Sequence, residues 1–110
     1  MTTAAGEHLQ VLTTAGSEQE AERIADVLLD GRLAACVQVV GPITSHYRWK
    51  GERQRDSEWL CIAKTRVSLF DAVSGAIRTV HSYDVPEITA VPIVAGSDDY
   101  LAWITAETRR

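Results

Sequence analysis

Cysteine is scarce in this chain of 110 residues, occurring only at Cys36 and Cys61, too few for the disulfide framework that staples small secreted domains. Both lie in apolar, strand-like runs, LAACVQVV and WLCIAK, where a free cysteine behaves as a small buried hydrophobe. No apolar run approaches the ~18 residues that span a bilayer, so no membrane partner is expected. The opening MTTAAGEH lacks a basic stretch followed by an apolar one, the mark of an export signal; with reduced cysteines, this points to the cytoplasm. A basic excess is also missing. The formal charge of −4 argues against nucleic acid, whose binding needs a net positive footprint. RWKGERQR (48–55) is a local exception, and it reads more plainly as a solvated hairpin tip whose charges prevent edge pairing.

Missing motifs narrow the chemistry further. No two cysteines stand two residues apart, as a soft-metal chaperone requires, and no asparagine occurs anywhere to position a hydrolytic water. There is neither a glycine-rich phosphate cradle nor a G-x-S-x-G elbow, and no nucleophile stands beside an evident base. No catalytic residue is therefore named, and an enzyme is not expected. The 45% hydrophobic and 24% charged content is that of an ordinary globular domain. One domain over 1–110 is expected, with its core within about 8–107.

The patterns that are present define an order of elements. HLQVLTTA (8–15) reads as a strand. Ser17 and Glu20 form a capping box before a helix whose stripe is Ala21, Ile24, Ala25, Leu28 and Leu29, with Gly31 as its left-handed end. LAACVQVV (33–40) reads as a strand buried on both faces. Gly41-Pro42 must bend or bulge it before ITSHYRWK (43–50) resumes; Gly51-Glu52 then reverses the chain, so 33–65 forms one long kinked hairpin. Ser68 and Asp71 mark a second cap, and Val67, Phe70, Val73, Ile77 and Val80 lead on at helical spacing to His81. ITAVPIVAG (88–96) is a strand that Pro92 confines to an edge or a bulge. Ser97, Asp98 and Asp99 start a last helix with Tyr100, Leu101, Trp103 and Ile104 on its apolar side. The result is an α+β, ferredoxin-like βαββαβ sandwich with an extra C-terminal helix. Its helices cover one sheet face, and the other is expected to bury itself against further copies of the chain.

Candidate functional residues are the polar ones set among apolar strands. Lys64 ends the strand EWLCIAKT, where a lysine either snorkels to solvent or pairs with an anion. Glu58 opens that strand and reads most simply as a rim charge answering Arg48 or Lys50. HSYDVPEI (81–88) is the richest cluster. His81 is a metal ligand or proton carrier by chemistry and a helix cap by position. Pro86 holds Val85 extended, so Glu87 stands at a set angle from His81.

Five stretches in register, RLAACVQVV, SHYRWKGE, Glu58 with Lys64-Thr65, HSYDVPEI and DYLAWI, resemble the CutA divalent-cation-tolerance family over about residues 8–107. The resemblance implies a homotrimer joined through the long hairpins and the Pro92 strand. It also implies that Ser45, Tyr47, Trp49, Glu58, Lys64, His81, Tyr83 and Glu87 gather near clefts between subunits. Copper(II) or another divalent cation is the implied ligand, with His81 and Glu87 as metal ligands and no cofactor needed for folding. The thiol that some members place at the end of the first strand is Thr13 here, a poor copper ligand. The alternative is a sensor similar to the PII proteins, with a small anionic ligand against Lys64.

Overall fold

The computed structural model describes residues 7–110. Strand β1 (His8–Ala15) leads into helix α1 (Glu18–Asp30). The hairpin of β2 (Cys36–Trp49) and β3 (Glu52–Arg66) follows. A 3-10 turn (Val67–Leu69) then opens helix α2 (Phe70–Val80), and strand β4 (Thr89–Pro92) and helix α3 (Asp98–Glu107) complete the chain. The sheet order is β2-β3-β1-β4, with every neighbouring pair antiparallel. This is the ferredoxin-like arrangement expected from the sequence, with β4 and its Pro92 at an edge.

Alternation along the strands decides which side chains meet the helices. Val11, Thr13 and Ala15 of β1 stand opposite Ala63, Cys61 and Trp59 of β3. This face carries the main core, in which Ile24, Leu28, Val73 and Ile77 are at most 1% exposed. Each such side chain contributes roughly 1.5–3 kcal/mol by leaving water. The opposite face holds the rows Gln38–Ile62–Leu12 and Val40–Leu60–Thr14. Helix α3 packs near it, burying Leu101 and Ile104 against Ala35 and Ile93. Val40 on that face remains 47% exposed. The expectation that 33–40 is buried on both faces therefore fails within one chain, because α1 and α2 lie on the same side.

The hairpin carries the site. Fourteen residues in β2 and fifteen in β3, at about 3.3 Å each, account for a molecule 44 Å long and only 25 Å across. The ladder slips between Val40 and Ile43, where Pro42 removes a donor. Gly41 lies so close to the Trp59 indole that a Cβ there would stand 2.3 Å from its Cδ1; only hydrogen fits. Lys50 (φ 51°) and Gly51 (φ 82°) turn the tip, a pair of positive φ values matching the twist of the two strands.

Local details depart from the expected boundaries. Ser17 Oγ accepts the Glu20 N–H at 3.1 Å, but the Glu20 side chain is buried and turned towards His81 instead of closing a capping box. Gly31 is right-handed (φ −82°), and Arg32 takes the positive φ of 54°. That conformation lets Arg32 Nη2 and Nε donate to the Ala106 and Glu107 carbonyls at 2.8 and 3.2 Å, tying down the end of α3. Leu33 and Ala34 turn inward on the Leu28 carbonyl, so β2 starts at Cys36. Ser68 sits inside the 3-10 turn and caps nothing, and Leu69 precedes α2 without a side-chain bond. Ser97 makes no side-chain cap either; its carbonyl accepts from Leu101, while Asp99 Oδ1 accepts the Tyr100 N–H. The strand expected over 88–96 is confined to Thr89–Pro92, the stretch that pairs with β1.

Candidate functional site

His81 ends α2, its N–H donating to the Ile77 carbonyl. Its ring is fixed from both sides. Nε2 lies 2.8 Å from the Thr14 carbonyl, and Nδ1 lies 3.1 Å from the Tyr83 N–H. A carbonyl only accepts and an N–H only donates, so the proton belongs on Nε2 and Nδ1 is the acceptor. The ring is thus a bracket between β1 and the 81–88 turn, and it sets the backbone of Tyr83. The two rings lie 4.8 Å apart, tilted by 51°. Gly16 makes room for the phenol, since a Cβ there would stand 3.0 Å from Tyr83 Oη.

Held in this way, Tyr83 donates from its hydroxyl to Glu58 Oε2 at 2.9 Å. Glu58 is only 8% exposed, so it is not the rim charge that the sequence suggested. Burial, then the hydrogen bond and negative charge of Glu58, push the Tyr83 phenol well above the usual tyrosine range. On the hairpin, the Tyr47 hydroxyl donates to Asp56, and that bond raises its phenol as well.

These residues wall a cavity of about 570 Å³ between the hairpin and the turn. Of the residues expected near a cleft, Ser45, Tyr47, Trp49, Glu58, Tyr83 and Glu87 line it. His81 and Lys64 do not line it. His81 stands behind Tyr83, and Lys64 donates from Nζ to Gln38 Oε1 at 2.5 Å on the open sheet face. Thr14, His46, Asp84 and Val85 complete the lining; sequence reading passed over them, although Asp84 and Val85 lie inside the cluster it singled out. No lysine or arginine contributes to the wall, so an anion held against Lys64 there is not favoured.

Among the described residues, no three His, Cys, Asp or Glu side chains converge closely enough to hold a metal ion. His81 has both nitrogens occupied, and Glu87 is exposed and accepts from the Thr89 hydroxyl at 3.2 Å. Among the described residues of one chain, His81 and Glu87 thus have no third His, Cys, Asp or Glu beside them with which to hold a metal ion. Thr13 is 1% exposed on the helix-facing side, with its hydroxyl unpartnered. Cys61 is equally buried, its thiol pushed up to about 11 by burial and by Glu20, and neither cysteine lines the cavity.

A ferredoxin-like sandwich with an overlong hairpin, and with a hydrogen-bonded Tyr83–Glu58 pair beside a cavity at its base, defines a small α+β domain. The family described as CutA1 divalent ion tolerance protein matches residues 9–107. The chain is 44% identical over 98 residues to the divalent-cation tolerance protein CutA of Thermus thermophilus, covering 89% of this chain and 95% of that one. It is 42% identical over 99 residues to the chloroplastic CutA of Arabidopsis thaliana, covering 90% of this chain but about half (54%) of the plant protein. The crystal structure of CutA1 from Oryza sativa superposes with a TM-score of 0.92 at 40% identity, covering 96% of this chain and 97% of that one. This chain belongs to the CutA1 divalent ion tolerance family.

Proposed function

We propose that the chain acts in divalent-cation tolerance as a binding protein and not as an enzyme, and that the cavity beside Tyr83 receives its cargo. One observation carries this reading. A buried carboxylate, Glu58, is clamped by a tyrosine whose backbone is set by a dedicated histidine, a costly arrangement unless the charge has a use. The donors around it suit copper(II) better than copper(I), because Glu58, Asp84, Glu87 and His46 offer oxygen and imidazole and no thiolate lines the wall. Three converging donors are missing among the described residues of one chain, so a full coordination shell takes ligands from neighbouring subunits.

That last step goes with assembly as a homotrimer, for which the support is the open sheet face. Leu12, Leu60 and Ile62 lie half-covered there, and Val40 and Val91 are exposed. Light scattering is expected to return three times the chain mass of 12.1 kDa; a single-chain mass at micromolar concentration overturns it. A cytoplasmic site of action goes with two free cysteines, and no described helix is long and apolar enough to cross a membrane. Titration calorimetry with copper(II) tests the metal reading. Glu87→Gln and His46→Ala are each expected to weaken binding, and unchanged stoichiometry and affinity in both refutes it.

A further inference from the structure

We propose that the same cavity selects an organic cation, a carbon-bearing primary or quaternary ammonium group, seated between aromatic faces and the Glu58 carboxylate. This deepens the reading of the cavity as the binding site and rests on it. Three kinds of observation converge. The first is shape, since about 570 Å³ is the size of a small-molecule pocket and far exceeds what a bare metal ion fills.

The second is the chemistry of the wall. Tyr47, Trp49 and Tyr83 bring three aromatic rings to a lining that also holds Glu58, Asp84 and Glu87, with no lysine or arginine. Aromatic faces attract cations through the ring quadrupole, and aromatic walls are the recurrent solution for alkylated ammonium groups, whose carbons need apolar contact while their charge needs an anion. The ammonium of Lys50 already lies 6.0 Å from the centroid of the Trp49 ring, so this ring meets a cation within the chain itself. A bare metal ion has no use for the aromatic surface, and an anion is repelled by the carboxylates.

The third is the state of Glu58. It is about nine-tenths buried, and Tyr83 occupies Oε2. The carboxylate therefore meets the cavity with one oxygen held by a phenol and with no cationic side chain in the wall to offset its charge.

The test is a titration of the full chain, in its native assembly, followed by ¹H–¹⁵N correlation spectra. Choline serves as the quaternary probe and butane-1,4-diamine as the primary one. Acetate and 3,3-dimethyl-1-butanol, an uncharged isostere of choline, are the controls. The Trp49 indole and Tyr83 amide signals are expected to shift with at least one ammonium probe. The isostere should bind about tenfold more weakly than choline, and Glu58→Gln and Trp49→Leu should each weaken ammonium binding by about the same factor. Trp49 is 42% exposed, so its variant keeps the test alive should Glu58→Gln fail to fold. The inference is overturned if neither ammonium probe shifts cavity signals at tens of millimolar, or if the isostere binds as well as choline. Copper(II) calorimetry on the same preparation separates the two readings. Copper binding without ammonium binding sinks this inference alone, and ammonium binding without copper sinks only the metal reading.

Discussion

Removing the Tyr83 hydroxyl probes the floor of the cavity with one atom. The bond from Tyr83 to Glu58 Oε2 is 2.9 Å long, its acceptor 8% exposed and its donor residue 39% exposed. Hydrogen bonds to charged groups contribute roughly 1.5–3 kcal/mol, and the exposed side of the ring places this one in the lower half, at about 1.5–2 kcal/mol. A domain of this size loses about 4 °C of Tm per kcal/mol, so Tyr83→Phe should melt about 6–8 °C lower. Glu58→Gln keeps an acceptor but removes its charge, which roughly halves the bond. In that background Tyr83→Phe should cost only about 1 kcal/mol, a coupling of about 0.5–1 kcal/mol. Thermal unfolding of all four proteins at one concentration measures the cycle. Equal costs in both backgrounds, within about 0.3 kcal/mol, would refute the reasoning and show that the phenol acts through packing alone.

Alkaline titration gives an independent check on the same pair. A phenol whose folded pKa is raised keeps its proton longer in the folded state, so its contribution is intact below the ordinary tyrosine value of about 10 and is lost as pH climbs beyond it. With Tyr83 shifted upward, denaturant melts should show stability falling more steeply above about pH 10 than in Tyr83→Phe; parallel curves would contradict the assignment. Gly41→Ala places a Cβ 2.3 Å from the Trp59 ring and should cost about 1–3 kcal/mol, read from the urea midpoint; an unchanged midpoint argues against close packing at the bulge. The Cys61 thiol, pushed up to about 11 and 1% exposed, should resist alkylation at neutral pH, whereas half-buried Cys36 reacts; mass spectrometry of the alkylated peptides decides this.

Short-range chemistry made much of the fold legible. Helical spacing located α1 and α2, Pro42 announced the slip in the ladder, and Pro92 announced an edge strand, because each follows from the local backbone. Details that depend on a distant partner were not legible. Arg32 takes the positive φ beside a glycine because its guanidinium reaches the last carbonyls of α3. Glu20 leaves its capping role for the neighbourhood of His81, across the α1–α2 packing.

The site divides along the same line. That Ser45, Tyr47, Trp49, Glu58, Tyr83 and Glu87 belong together was readable as family resemblance, and HSYDVPEI was readable as a rigid turn. Tertiary structure decided what each residue does. It buried Glu58 and paired it with Tyr83, closed both nitrogens of His81 on backbone groups, and sent Lys64 to Gln38 on another face. Sequence determines periodicity and turn chemistry, which act over a few residues. The partner of a buried polar group is set by which distant strands and helices bring their faces together, and here that choice left His81 as a bracket behind Tyr83 and brought Glu58 and Tyr83 to the cavity.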